Sequence, residues 1–294
     1  MYAFLIGHGQ LACAFLDESE KNHWNLIQLP KVYYPLKDDR SLRRLFDFCK
    51  PVVVINAVAF TDVERAEKDL KLAVEVNSDG VAALAKLAKE YGFLLVHFST
   101  DYVFDGKLDR PWVEHDKPRP INNYGLSKLL GEQAIISSGC SYMILRTSWL
   151  HSPWRNNFVK TILSLGRRQE EIKIVSDQIG SPTSASMLAK MTFIAIDNVL
   201  STPSLSGIYH ITDSGYVSWF DYARFVIFEA KRQGVLYKEP KIIPITSEMY
   251  PSKVNRPSNS ILDTTLFCMT FGAQLVDWRE GVRYTISHCT FDNI

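Results

Sequence analysis

The sequence has little of what staples, anchors or charges a chain. Its five cysteines (Cys13, Cys49, Cys140, Cys268 and Cys289) are odd in number, scattered and never spaced as CxxC. That supports neither a disulfide framework nor a zinc site. The seven histidines are dispersed without ligand spacing, and no catalytic metal is expected. No apolar run approaches the roughly 20 residues of a membrane span. The opening MYAFLIGHGQ has an apolar run but no basic leader and no small-residue cleavage site. It reads as a first strand, not a signal peptide, and a cytoplasmic location is expected. No Lys/Arg block interleaves with aromatics and the net charge is +1, so neither nucleic acid nor a membrane surface is an expected partner. A G-x-S-x-G elbow is missing too, which leaves a serine hydrolase unsupported.

What is present is an alternation. Short apolar runs at 3–7, 25–29, 52–57, 93–99 and 142–148 are separated by helical patterns at 10–17, 39–49, 63–69, 71–90 and 124–137. Strands alternating with helices imply a parallel sheet with right-handed crossovers, an α/β class fold of the Rossmann-like doubly wound kind. Beyond Arg146 the texture turns loop-like, then gives helices at 184–199 and 218–233, a strand at 207–212 and a last helix at 277–287. The expected organisation is a dinucleotide-binding domain over 1–150 and a smaller C-terminal substrate-binding domain over 151–294, with the segment near 181–212 returning to the first.

LIGHGQLACAF follows the first strand and opens a helix with the spacing G-x-G-x-x-A (Gly7, Gly9, Ala12). Gly7 permits a tight turn and Gly9 lets backbone approach a pyrophosphate. Ala12 allows close helix–strand packing, while the free N–H groups of the helix start face phosphate. His8, inside the turn, is expected to line the cofactor. An acidic residue normally ends strand two to hold the adenosine ribose, but the stretch there is LIQLPKVYY. Lys31 can pair with a 2′-phosphate instead, favouring NADPH over NADH; otherwise Lys31 is a solvated loop charge. After strand three, in INAVAFTDVERAE, small Ala57 and Ala59 would let backbone lie against a flat cofactor edge. Thr61 would cap the next helix, with Glu64 completing a capping box.

Strand four ends in HFSTDYVFDG, and ligands of open parallel sheets lie beyond such strand ends. NNYGLSKLLGE then sets Tyr124 and Lys128 four apart, on one helix face. A phenol titrates near 10, too high for easy proton exchange at neutral pH, and a nearby ammonium lowers that value. With the Thr100 hydroxyl on the same oxygen, the set suits carbonyl reduction: hydride from a nicotinamide to carbon, proton from Tyr124 to oxygen. In the second half, Trp149 could stack on a base or cover a sugar, or be a core aromatic. Asn156 and Asn157 could bond phosphate or sugar, or cap a helix at 158–165. Arg256 could clamp a diphosphate, or lie on the surface.

These stretches, with VNSDGVAALA, ILRTSWL, NNFVKTIL, VSDQIGSPTSA, GIYHIT and RPSNSILD, run in order from residue 56 to 263. Together they resemble the extended short-chain dehydrogenase/reductases, and among them most the dTDP-4-dehydrorhamnose reductase family. The resemblance implies that Tyr124 donates the proton, Lys128 holds the nicotinamide ribose and Thr100 completes the triad. It puts Gly9, Gln10 and Leu11 at the phosphate turn, Ala59, Phe60 and Thr61 along the cofactor wall, and Asp101 and Trp149 near the sugar. The family usually shows G-x-x-G-x-x-G, whereas this turn is one residue shorter and ends in Ala. Acidic residues around the end of strand two are replaced by Pro30 and Pro35. Both departures touch the adenosine half of the cofactor.

The expected activity is NADPH-dependent reduction, with NADH the alternative cofactor, of the C4 carbonyl of a dTDP-4-keto-6-deoxy sugar. Beyond the dTDP-sugar, a second copy of the chain in a homodimer is a candidate partner. One rival is another sugar-nucleotide reductase or epimerase of the same fold. Another is a non-catalytic regulatory subunit, as relatives of this family serve methionine adenosyltransferase.

Overall fold

The computed structural model describes residues 2–34, 40–252 and 254–289; Pro35, singled out above, lies outside them. In chain order the elements are β1 (Tyr2–Ile6), α1 (Gln10–Ser19), β2 (Asn25–Leu29), α2 (Arg40–Cys49), β3 (Val53–Asn56), α3 (Val63–Lys68), α4 (Leu70–Val74), α5 (Gly80–Tyr91), β4 (Leu94–Thr100), α6 (Asn123–Ser138) and β5 (Tyr142–Thr147). There follow β6 (Leu150–His151), α7 (Phe158–Arg168), β7 (Glu171–Val175), β8 (Ile179–Gly180), β9 (Thr183–Ser184), α8 (Ala185–Ser201), β10 (Gly207–His210), β11 (Val217–Ser218), α9 (Trp219–Arg232), β12 (Lys241–Ile245), α10 (Thr265–Phe271) and α11 (Trp278–His288).

Six strands form one parallel sheet in the order β10-β5-β4-β3-β1-β2. Strands such as Val53–Asn56 and Leu94–Thr100 are buried along their whole length. That is why they read as continuous apolar runs and not as alternating ones. Each face carries its own core. On one, Leu11 and Phe15 of α1 pack with Leu188 and Phe193 of α8 and Phe267 of α10. On the other, Leu42 and Phe46 of α2 pack with Leu84 and Leu87 of α5 and Ile135 of α6. The sheet is therefore doubly wound, and strand order reverses between β1 and β3, where such folds open a ligand crevice. A third core, around Val159, Ile162, Tyr222, Val226 and Trp278, joins α7, α9 and α11.

Local chemistry sets the ends of the helices that matter. Asn122 Oδ1 accepts the Gly125 N–H at 2.8 Å and starts α6. Gly92, at φ +74, ends α5. Asp62, not the expected Thr61, caps α3: its carboxylate accepts from Arg65 N at 2.9 Å, and Thr61 is left exposed. The continuous helix expected over 71–90 is interrupted. Between α4 and α5 the chain makes a wider i→i+5 turn over Glu75–Asp79, a form that recurs near functional sites. The turn aims Asn77 inward, where its amide accepts from Phe60 N at 2.8 Å and donates to Phe60 O and to Ser127 Oγ. The two-stranded pairing of β7 with β12, and α10, were not expected from the sequence. Among the described residues, no helix is long and apolar enough to cross a membrane.

Candidate active site

A cavity of about 750 Å³ opens beyond the carboxyl ends of β1, β3 and β4. Gly7, Gly9, Gln10, Leu11 and Lys31 line one end, and Ala59 and Thr61 flank it. Thr100, Asp101, Tyr124, Lys128 and Trp149 line the other. Residues far apart in sequence thus share one wall-to-wall space.

The glycine turn is built for a ligand that needs bare backbone. Gly7 sits at φ +145, and a Cβ there would meet the Ala57 carbonyl oxygen at 2.9 Å, so the turn can lie tight on β3 only with glycine. Around Gly9 there is open space, and as N-cap it offers α1 no side-chain acceptor. The first N–H groups of α1 are therefore left to a ligand, and an anion suits both them and the helix dipole. His8 lines the cavity beside them and bonds Leu29 O at 3.0 Å. Gln10 ties the turn to the second half of the chain: Nε2 donates to Leu150 O at 3.3 Å and Oε1 accepts from Ser152 Oγ at 2.9 Å. Lys31 is exposed at the rim.

At the other end, Thr100 accepts from Tyr102 N at 3.2 Å and donates to Asp101 Oδ1 at 3.0 Å. Asp101 is buried, and its Oδ2 has no hydrogen-bond partner among the described residues. Burial pushes its carboxyl up to about 7, against the pull of the Thr100 hydrogen bond. Burial likewise pushes the Tyr124 phenol up to about 12, with Thr100 opposing. The Lys128 ammonium, buried at the floor, donates to Phe98 O at 2.6 Å and meets His97 Nε2 at 3.1 Å. Burial lowers it to about 8, and Glu132 one turn on resists. The expected lowering of the phenol by its cation neighbour is thus absent from this state, because the cation points into β4.

Three expected site residues fall outside the cavity wall. Phe60 has both its backbone groups held by Asn77, and its ring lies under Arg65 at 5.6 Å. Asn157 caps α7 through Lys160 N at 3.2 Å and donates to Ser152 O; Asn156 and Arg155 reach the cavity instead. Arg256 is engaged by Glu64 at 3.1 Å, which Ser252 also contacts. Sequence reasoning missed Arg155, which takes φ +54, and Trp219, whose ring stacks on Trp149 at 3.4 Å. Trp149 itself takes φ +46, and a Cβ on Gly180 would meet its ring at 2.5 Å. No local pattern signals Trp219, since a long-range ring contact creates its role.

A parallel sheet with a switch-point crevice, a phosphate-ready glycine turn and a Thr–Tyr–Lys set around one cavity define a short-chain dehydrogenase/reductase. The family described as the RmlD substrate binding domain matches residues 4–291. Over 234 residues the chain is 41% identical to the dTDP-4-dehydrorhamnose reductase of Escherichia coli, covering 80% of this chain and 78% of that one. Over 278 residues it is 39% identical to that of Sinorhizobium fredii, covering 94% and 93%. The dTDP-4-dehydrorhamnose reductase of Bacillus anthracis, solved in complex with NADP, superposes with a TM-score of 0.88 at 33% identity, covering 97% of this chain and 99% of that one. The UDP-glucose 4-epimerase of Thermus thermophilus, at 20% identity and a TM-score of 0.78, shares the fold alone; the match covers 98% of each chain. The chain belongs to the RmlD family, that of the dTDP-4-dehydrorhamnose reductases.

Proposed function

We propose that the protein reduces the C4 carbonyl of a dTDP-4-keto-6-deoxy sugar with NADPH, converting dTDP-4-dehydro-L-rhamnose to dTDP-L-rhamnose. The observation that carries the reading is the single cavity with a phosphate-ready turn at one end and a proton donor at the other. The uncapped start of α1 and the open space at Gly9 fit a dinucleotide pyrophosphate, and Lys31 at the rim fits a 2′-phosphate. Bound NADPH supplies the hydride. Tyr124 supplies the proton to O4, and a phenol held up near 12 keeps that proton at working pH. Thr100 turns its hydroxyl from Asp101 to the same oxygen. Asp101, its carboxyl pushed up to about 7, can then carry a proton and donate it to Thr100 Oγ1. Lys128 holds the nicotinamide ribose. Trp149 covers the sugar, and Arg256 reaches the diphosphate after release from Glu64.

Residues 1–150, with the segment near 181–212, form the dinucleotide-binding part, and the rest of 151–294 the substrate part. The protein works in the cytoplasm as a homodimer, which light scattering on the purified protein checks.

The decisive test is NADPH consumption with synthetic dTDP-4-dehydro-L-rhamnose, with the product identified by NMR. One NADPH should disappear per rhamnose formed. Tyr124→Phe should lower kcat by about 10²–10⁴-fold, the usual span for a general acid, with NADPH affinity nearly unchanged. A variant that turns over at the wild-type rate refutes the assignment of the acid. Product formation without net NADPH loss would favour an epimerase.

A further inference from the structure

Behind the cavity floor lies a buried polar chain that neither the glycine turn nor the Thr–Tyr–Lys set accounts for. His97, on β4, is 0% exposed, Asn56, at the end of β3, 1%, and Lys128, on α6, 1%. His97 Nε2 meets Lys128 Nζ at 3.1 Å, and His97 Nδ1 meets the Asn56 side-chain nitrogen at 3.1 Å. Asn56 Oδ1 accepts the Val58 N–H at 3.2 Å, at the start of the segment that flanks the cavity. Three buried polar side chains in a row are a costly arrangement unless each is satisfied, so the chain calls for a reason.

The geometry points to His97 as the positioning residue for Lys128: its Nε2 lone pair and the Phe98 carbonyl take two of the ammonium's three hydrogens, so that the third is presented to the cavity. This rests on the reading of Lys128 as the group that meets a nicotinamide ribose. An ammonium has three equivalent donors on a flexible stem and would otherwise choose its own partners. With two acceptors fixed on the rigid strand β4, the direction of the third hydrogen is fixed as well.

The charge on Lys128 is coupled to the tautomer of His97 and to the orientation of the Asn56 amide. Burial and the adjacent ammonium hold the imidazole well below its usual range, so it is neutral and has one N–H and one lone pair. When Lys128 is charged the lone pair must face it, and the N–H lies on Nδ1; the Asn56 amide, whose nitrogen meets Nδ1 while its oxygen accepts from Val58, then has to turn its oxygen to Nδ1 and release the Val58 N–H. When Lys128 loses its proton the tautomer can reverse: Nε2–H then donates to the amine, and Nδ1 accepts from the Asn56 amide nitrogen. The ionisable groups facing Lys128 are His97 from β4, Glu132 one turn along α6 with Arg146 of β5 paired to it, and Tyr124 and Asp101 at the cavity. An acceptor at Nε2 favours the charged amine; its loss lowers the pH at which Lys128 deprotonates.

Two variants separate the lone pair from mere polarity. His97→Gln carries an amide oxygen out to the Nε2 position, toward Lys128. His97→Asn carries one only to the Nδ1 position, toward Asn56. Both are polar and of similar size, and their thermal transitions are measured alongside. NADPH affinity, read by fluorescence or calorimetric titration without substrate, should stay within about 3-fold of wild type in H97Q and weaken about 10-fold in H97N, the scale of one hydrogen bond to a charged group. The alkaline limb of the kcat/KM profile should move down by about one pH unit in H97N and stay in place in H97Q. Equal NADPH affinity and equal alkaline limbs in the two variants, whether both intact or both impaired, overturn the proposal. If the wild type binds NADPH but reduces no dTDP-keto-sugar, the functional reading falls, while the titrations still decide the role of His97.

Discussion

At the scale of single residues, direction matters as much as identity. The i, i+4 spacing puts Tyr124 and Lys128 on one helix face, and both line the cavity. Yet the Lys128 head group turns to Phe98 O and His97, and the phenol responds to burial and not to the cation. Spacing fixes where a side chain leaves the backbone; the partners beyond it fix where it ends. Lys31 is the complementary case, an exposed cation at the rim with no ion-pair partner among the described residues. If it meets a 2′-phosphate, Lys31→Ala should weaken NADPH binding about 10-fold, the worth of one charge-assisted contact, and leave NADH binding unchanged. Parallel losses for the two cofactors, measured by titration of each, would show that Lys31 reads no 2′-phosphate.

Elements place these residues through backbone contacts that leave no room for error. The first turn of α6 lies so close to the segment after β4 that a Cβ on Gly125 would meet Tyr102 O at 2.1 Å. Gly131, further along α6, is equally tight against Asn77 O at 2.2 Å, in the wide turn between α4 and α5. Gly125 is adjacent to Tyr124, so this contact sets the height of the phenol above Thr100. Gly125→Ala should therefore destabilise the protein by about 1–3 kcal/mol, as overpacking does, and lower kcat more than it raises KM for NADPH. Differential scanning calorimetry and steady-state kinetics check the two halves, and an unchanged melting temperature would contradict the contact. The strands and most helices were legible in the sequence because their periods are local. The wide turn, the β7–β12 pairing and the side-chain burial of Asn77 were not, because each answers to a partner tens of residues away.

The whole molecule carries another buried acid away from the cavity. Asp213 accepts the Ser184 N–H at 3.0 Å, while its Oδ1 has no partner among the described residues. Burial pushes its carboxyl from an ordinary 3.8 up to about 8. Between these values the folded chain holds a proton that the unfolded chain has released. Stability is therefore present at low pH and falls as pH rises through that window. Asp213→Asn cannot ionise and keeps an acceptor for Ser184. The gain of variant over wild type should grow with pH up to about 8, by at most about 1.4 kcal/mol per pH unit. Calorimetric melting over a pH series reads it, and parallel curves for the two proteins would mean that Asp213 stays charged when folded.

Composition, the strand–helix alternation and three short motifs were enough to determine the class of fold and the chemistry to look for. The physical reason is that periodicity, glycine at a tight turn and helical spacing act within a few residues. The gathering of Gly7, Lys31, Thr100, Tyr124 and Trp149 around one cavity, and the exclusion of Phe60, Asn157 and Arg256 from its wall, were decided only by tertiary structure. Asn77, Ser152 and Glu64 claim those three side chains or their backbones. A hydrogen bond or ion pair between residues far apart in the chain has no period to betray it, and it exists only once the sheet and its helices bring the two ends together.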